Sequence, residues 1–441
     1  MLLTFIFTIL SFLASVNVAS LATSGDGSQA NPWRGWETLT VTDATEYRFC
    51  KGWFAYSASP NWLKPGIAIV GEAGANLKHT GSGDAFVMDA GATVGGVWIQ
   101  NVRVENLTIW GNVNTRHGFF LRGVRNGEFR SLSVKDVPQA GLWSEACVTN
   151  ILSNFRVTYH EPTQYAGFAV TPRWGIVTAG RGADWSTTWT IINPVIEGVS
   201  EAGIWLKADS YGNTIINGTS EGNDGKGVVV DGNYNHFTNT DAEANWTAGV
   251  DFEINGAYNT FTSIFSQQLF KIHGSHNILT GGKLQNLTVT PFGSGAAYYN
   301  ILQGPKVQGS FTDTGNNTIY YGVVGGNLTT KLGMVLPVSS YPTIINGILN
   351  TNAQLADFYS VFVDQSFTLA NPTNAVDGQK VTWKFTTNGP TQWTIIYGNQ
   401  FRGKNGIFPQ MSFSPPGASW WYLTARYNAA QQTWDITDYS Y

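Results

Sequence analysis

Short apolar triplets set between asparagine and glycine recur through the middle of the chain, most clearly from Trp189 to Gln308. Thr190-Ile191-Ile192-Asn193 leads to Glu197-Gly198, and 24 residues on Thr214-Ile215-Ile216-Asn217 leads to Glu221-Gly222. The frame restarts at Asn235, Asn259, Asn277 and Asn300, and eight positions after each start stand Glu243, Gln267, Gln285 and Gln308. Two positions after each start the residue is apolar: Ile191, Ile215, Phe237, Phe261, Leu279 and Leu302. A repeat of this length built from short strands and turns predicts a solenoid, because each unit can bury its apolar face only against its neighbours.

The pattern extends upstream through Asn106-Leu107-Thr108-Ile109, Leu132-Ser133-Val134 and Phe155-Arg156-Val157. A second marker, glycine followed by apolar residues, keeps step with it at Gly118, Gly141, Gly203, Gly227 and Gly249. Each coil therefore carries at least two kinds of strand. The rhythm breaks between Tyr159 and Thr188; the stretch reads either as an insertion, which in solenoids maps to loops on one face and frequently the binding face, or as a loop or extra coil whose aromatics cover the core. Before Gly66 the aromatic-rich stretch 23–65 predicts a segment that caps the first coil, whose open edge has to be covered. The β-helix is expected over 66–335 and a linker with Pro337 and Pro342 over 336–359. Alternating strands such as Val381-Thr382-Trp383-Lys384-Phe385 and Trp421-Tyr422-Leu423, parted by Asn388-Gly389-Pro390 and Pro415-Pro416-Gly417, predict antiparallel hairpins in a small β-sandwich over 360–441. Its aromatics Trp420, Trp421 and Tyr422 are expected to be exposed and to favour a closed symmetric oligomer.

Composition sharpens this picture in three places. Charged residues make up 12% of the 441 and Gly numbers 50, which excludes disorder and favours a turn-rich, all-β fold. A net charge of −4 gives no basic footprint, so nucleic acid is not an expected partner. Cys50 and Cys147 are too few for a disulfide framework and read as buried thiols. Residues 1–22 form an apolar, signal-like segment without a basic start. Ser11, Ser15 and Asn17 interrupt it, so no stable membrane insertion is expected.

On these residues the repeat resembles the right-handed parallel β-helix of pectin-lyase-like proteins, in particular phage tail spikes and tail fibres. Gly25-Asp26-Gly27, Asn31-Pro32-Trp33 and Gly35-Trp36 are similar to the start of that domain. Ala370-Asn371-Pro372, Phe401-Arg402-Gly403, Tyr427-Asn428-Ala429 and Trp434-Asp435 resemble a C-terminal module of tail appendages. The resemblance implies a homotrimer that binds a cell-surface polysaccharide and in some members depolymerises it. It implies a place in the virion tail, or secretion if the protein is cellular. The alternatives are a secreted polysaccharide-degrading enzyme and a non-catalytic adhesin or fibre.

Fold does not fix activity, so the chemistry is argued from side chains. The position seven after each repeat start is small or apolar (Ile196, Ser220, Ala242, Ser266, Leu284, Val307) and should point inward. The next residue then points outward, so Glu197, Glu221 and Glu243 should form a column with rungs about 4.8 Å apart, joined by Asp241. Two carboxylates at that spacing suit glycoside hydrolysis. The same column also reads as a structural ladder or a cation site. A second candidate lies in the broken stretch, where Arg173, Trp174, Arg181, Asp184 and Trp185 are the expected substrate-binding residues. A base there with a divalent cation such as calcium would suit a lyase acting on acidic sugars. The six histidines show no metal-ligand spacing, and no resident cofactor or metal is expected.

Overall fold

The computed structural model describes residues 14–91, 98–158, 169–290, 299–314, 318–321, 323–328, 339–340, 342–353, 356–375, 377–387, 393–403, 408–409 and 419–440. These are almost all strand, bend or turn, and the helical elements among them are two 3-10 turns, Val18–Leu21 and Trp36–Thr38. The chain forms two compact units, Met1–Gly274 with Leu284–Asn286, and Ser275–Lys283 with Leu287–Tyr441.

In the first unit each coil lays down strands that stack in parallel on the equivalent strands of the coils before and after. The first ladder stacks Tyr47, Ile69, Val104, Phe129, Leu152, Ile191, Ile215, Phe237 and Phe261. The second stacks Phe54, Leu77, Ile109, Val134, Val157, Ile196, Ser220, Ala242 and Ser266. The third stacks Phe86, Phe119, Leu142, Ile176, Ile204, Val228, Phe252 and Phe270. All three rows are buried and together form the core. Aromatics within it meet ring to ring, as Phe237 and Phe261 do at 5.1 Å.

The bends follow from residue type. Asn193, Asn217 and Asn239 turn the chain from the first ladder to the second at φ of 51°, 52° and 49°. Asparagine reaches this left-handed region more readily than other non-glycine residues. A second set of asparagines is buried. Asn213 Nδ2 donates to Asn235 Oδ1 at 2.9 Å, and Asn235 Nδ2 donates to Asn259 Oδ1 at 3.1 Å. The backbone N–H of each also bonds to the next side chain, at 3.0 and 2.8 Å. The amides thus form a continuous strip that holds successive coils in register.

Glycine sits where the third ladder presses on the second. A β-carbon at Gly203 would lie 1.9 Å from Ser220 Oγ and 2.7 Å from the Gly227 carbonyl oxygen. Gly118, Gly141, Gly175 and Gly227 are comparably confined. The expectation that Gly249 continues this series is corrected by the register, which sets Asp251 beside Gly227. Asp251 is fully buried and accepts hydrogen bonds from Asn245 Nδ2 (2.8 Å), Ser266 Oγ (3.0 Å) and the Gln268 N–H (2.6 Å).

Three boundaries differ from the sequence expectation. Parallel pairing begins before Gly66, since Ser15–Asn17 pairs with Glu46–Phe49, and Gly52–Tyr56 pairs with Ala68–His79. The early rungs carry aromatics rather than β-branched residues, which hid them. Ser15–Asn17 and the buried Val18 are also part of the fold, although composition grouped them with the signal-like segment. Trp36, in the stretch expected to cap the first coil, is buried 5.3 Å from Phe49 and 5.1 Å from Tyr56. In the stretch read as a linker, Ile348–Leu349 is a strand, and Leu349, Ala353 and Ala356 are buried in the core of the second unit.

The second unit carries further coil strands, with Ile278–Thr280 paired in parallel to Ile301–Gln303, and then two sheets. Ser339–Ser340, Phe358–Phe362 and Lys380–Thr387 pair in parallel, Ser419–Asn428 and Thr433–Ser440 join antiparallel, and Phe401–Arg402 lies parallel to the last. Ile348–Leu349, Phe367–Leu369 and Ile395–Tyr397 form a parallel three-stranded sheet. Antiparallel pairing thus holds for the final strands, while the earlier ones alternate between two sheets as solenoid strands do. Trp421, expected to be exposed, is only 4% exposed and belongs to the core of this unit. Tyr422 is half-buried, and the Trp420 side chain lies outside the described residues. Cys147 is buried, Cys50 is half-buried, and both are free.

Asn235→Ala removes a buried amide that serves the coils on both sides. It should lower unfolding stability by about 2–4 kcal/mol, read as a drop in denaturant midpoint, since it strands buried donors and acceptors.

Candidate functional site

On the outward side of the second ladder Glu197 pairs with Glu221 and Glu221 with Glu243 in exact register of the strands Val195–Glu197, Thr219–Glu221 and Asp241–Glu243. Ile196, Ser220 and Ala242 beside them are fully buried, so alternation turns the three carboxylates outward. Successive rungs stand about 4.8 Å apart. Asp241 shares the outward side with Glu243, two residues back along the strand, and its Oδ1 is buried without a hydrogen-bond partner.

The electrostatics follow from this stacking. Partial burial, hydrogen bonding to Glu197, and the negative charge of Glu197 and Glu243 on either side push the Glu221 carboxyl up to about 7. Burial and the neighbouring Glu243 and Asp251 push Asp241 up to about 6. Glu221 therefore holds its proton near neutrality, on a face where its neighbours raise the cost of a further charge.

The column does not stop at the glutamates. Thr158 Oγ1 donates to Glu197 Oε2, and the Ala244 N–H donates to Gln267 Oε1 at 3.0 Å on the following coil. Upstream, the register carries it back to Lys135 and Trp110, where the ammonium lies 4.7 Å from the indole centroid. Gln285 and Gln308 lie on the strands Lys283–Val289 and Lys306–Asp313.

The third ladder presents a different outward surface. Trp143 and Trp205 occupy one position two coils apart, related through Val177, and Trp174 on the coil between them lies 5.6 Å and 5.8 Å from their rings. All three indoles are half-buried. Trp143 Nε1 donates to Glu145 (2.8 Å) and Trp205 Nε1 to Asp231 (2.7 Å). Arg173 lies 4.3 Å over Trp174 and is bonded to Glu201 at 2.7 Å. Lys207 lies 4.7 Å from the Trp205 ring and 5.2 Å from that of Trp143. Arg122 lies over Phe120 and bonds Glu145 and Asp89.

The residues expected to bind substrate are thus divided. Arg173 and Trp174 belong to this aromatic face, and Trp174–Ala179 is an ordinary rung of the third ladder rather than an inserted loop. Arg181 approaches its edge, 3.7 Å from Glu145, and exchanges backbone hydrogen bonds with Asp184. Asp184 is half-buried at that turn. Trp185, 56% exposed, packs on Tyr211 at 5.0 Å, away from the three indoles. Residues 159–168, which include His160, Glu161, Pro162, Tyr165 and Phe168 of the broken stretch, lie outside the described residues. Sequence reading missed Trp143, Trp205, Lys207 and Lys135. Trp143 and Trp205 each follow the glycine-plus-apolar marker by two positions, and that was the available signal. Among the described residues no group of three or more His, Cys, Asp or Glu is placed to hold a metal ion, and no helix is long and apolar enough to cross a membrane.

The pH sign of Glu221 is fixed by its raised value. Stability from its protonated form is present below the ordinary value of 4.5 and is lost as pH rises through about 7. Glu221→Gln should therefore melt at a higher temperature than the parent at pH 8, with the difference closing towards pH 4.5 in paired thermal scans.

Residues 91–265 match the family described as "Right handed beta helix region". No curated protein sequence matches the chain significantly. Among solved structures, ORF18 of Geobacillus virus E2 is similar at 14% identity and a TM-score of 0.48, over 68% of this chain; the chain spans 61% of that protein's length. The alginate lyase from Paenibacillus sp. str. FPU-7 is similar at 16% identity and a TM-score of 0.35, over 73% of this chain and 98% of that one. The tailspike protein gp49 from Pseudomonas phage LKA1 is similar at 10% identity and a TM-score of 0.40, over 87% and 89% of the two chains. With the parallel ladders, the match over residues 91–265 gives that stretch the fold of a right-handed parallel β-helix, and further β-sheets follow towards the C-terminal end.

Proposed function

We propose that this chain is a tail-spike-type or tail-fibre-type protein that binds a cell-surface polysaccharide and hydrolyses it at the outward carboxylate column. The observation that carries the reading is Glu221, held near neutrality in its protonated form between Glu197 and Glu243 on adjoining rungs. Glycoside hydrolysis needs one protonated and one ionised carboxyl flanking the bond, with environments that push their values apart. Glu221 is the acid that protonates the leaving oxygen. Glu243, one rung on, is the nucleophile, and the rung spacing of about 4.8 Å is close to that of retaining enzymes. In that scheme the glycosyl group passes to the Glu243 carboxylate. Glu221, now ionised, takes a proton from water, which then releases the sugar with its configuration retained. Glu197 shares a hydrogen bond with Glu221 and helps keep the acid protonated.

One observation favours a non-catalytic adhesin instead. Thr158 donates to Glu197 at one end, and at the other Gln267 accepts from the Ala244 backbone N–H beside Glu243, as the members of a structural polar ladder would.

Incubation with a panel of capsular and plant polysaccharides separates the readings. Hydrolysis releases reducing ends without unsaturated sugar products, and unsaturated products would mean a lyase. Glu221→Gln should lower the rate at least about a hundredfold, the scale of general-acid catalysis. Full activity in that variant, or no product across the panel, sinks the hydrolase reading.

The trimer is part of the same proposal. Ile345, Ile348, Phe362 and Ile396 of the second unit leave large apolar side chains exposed, a surface suited to a closed symmetric assembly. Light scattering should give three times the 48.0 kDa chain mass, and a monomer mass overturns this.

A further inference from the structure

We propose that the outward face of the third ladder is a second glycan-binding site, distinct from the carboxylate column and selective for a carboxylate-bearing sugar. Trp143, Trp174 and Trp205 take pyranose rings, and Lys207 takes the acidic group. The inference rests on the reading of the chain as a polysaccharide-binding protein and adds to it where the polymer is held and what charge it carries.

The geometry supports a linear ligand. Three half-buried indoles stand on three consecutive coils, about one strand spacing apart, so they form a track along the solenoid axis. The N–H groups of Trp143 and Trp205 are already directed to Glu145 and Asp231, which fixes those two rings and leaves carboxylate oxygens at their edges to accept from sugar hydroxyls.

Charge pairing identifies the selective group. Arg116 is bonded to Asp84, Arg122 to Asp89 and Glu145, and Arg173 to Glu201. Among the described residues Lys207 has no carboxylate in ion-pair reach; its ammonium rests over two indoles instead. It is therefore the cation on this face that an incoming anion can claim without breaking an existing pair. Lysine is a point charge on a flexible stem, so an incoming carboxylate can draw it off the rings. That movement frees the Trp143 and Trp205 faces for the sugar and couples charge recognition to ring stacking. Because a single cation is involved, binding should depend on salt only weakly.

Binding is measured in the full chain carrying Glu221→Gln, which leaves the polymer intact. The probes are polygalacturonate, alginate, hyaluronan and polysialic acid against neutral dextran and galactomannan, by affinity electrophoresis. At least one acidic polymer should be retained more strongly than the neutral ones. Adding Lys207→Met should weaken retention of that polymer about tenfold, the worth of one charge-assisted contact. Adding Trp205→Ala should weaken it further. Trp205→Phe, which keeps a ring, should bind between the two and guards against a folding defect, which thermal unfolding would also reveal. The proposal is overturned if no polymer is retained, if neutral polymers bind as well as acidic ones, or if Lys207→Met binds like its parent. Cleavage by the unsubstituted chain is scored separately, so failure of the hydrolase reading and failure of this site give different results.

Discussion

Stacking of like on like at one strand spacing is the constraint on which the rest of this structure depends. A parallel coil places each residue against its counterpart in the next coil, and the chain has no freedom to offset them. For apolar side chains this is favourable, and the row Ile191, Ile215, Phe237, Phe261 is fully buried. For amides it is also favourable, because an asparagine both donates and accepts. The strip Asn213, Asn235, Asn259 satisfies the buried polar groups of each bend through the next coil. For carboxylates the same geometry is unfavourable, since they only accept when ionised. Glu221 answers it by keeping its proton. The rule that secures the fold is therefore the rule that perturbs the candidate site.

A second consequence concerns the inside of the coil. The glycines from Gly118 to Gly227 let the third ladder lie against the second, with no room for a β-carbon. One coil later Asp251 takes the place of glycine, and a carboxylate enters the space that glycine had kept closed. It is tolerated because Asn245, Ser266 and Gln268 supply donors, although burial still raises its value above the ordinary one. Its charge is in turn one of the influences that raise Asp241 on the outward side. The inner and outer carboxylates are thus coupled through the wall of the solenoid.

The legible parts of the sequence were those with constant spacing. Glu197, Glu221 and Glu243 recur in a fixed frame, and that frame predicts both the buried neighbours and the column. Trp143, Trp174 and Trp205 occupy consecutive coils too, yet their coils differ in length, and the longer one contains the stretch 159–168. Periodicity in sequence is lost there while periodicity in space is kept, so Trp174 read as part of a loop. The early rungs were missed for a related reason: Tyr47, Phe49 and Phe54 fill core positions with rings, where β-branched residues would have signalled strands. At the other end, alternation in Lys380–Thr387 and Ser419–Asn428 identified strands but carries no information on strand direction. Parallel and antiparallel pairings share the same two-residue period. Trp421 was misjudged because its neighbours Trp420 and Tyr422 are aromatic as well, so no alternation marks which of the three faces the core.

The aromatic face and the carboxylate column are connected by the order of the coils. Lys135 and Trp143 belong to one coil, Thr158 and Trp174 to the next, and Glu197 and Trp205 to the third. Beyond Trp205 the third ladder carries Val229 and then Glu253 at the equivalent position, while the second ladder carries Glu221 and Glu243. The indoles therefore end on the coil where the carboxylates begin, and that coil contributes to both. A polymer lying along the indoles towards the C-terminal coils reaches the first glutamate on the coil of its last stacking residue. Only the bend from Gly198 to Glu201 separates the two ladders there in sequence. Charge follows the same order, with Lys135 and Lys207 on or before the shared coil and the stacked glutamates from it onward. On the proposed reading, such an arrangement would hold an acidic chain where cations and rings favour it. It also sets the proton-bearing Glu221 one rung beyond, where a negative substituent on the next sugar would be repelled and a neutral one accepted.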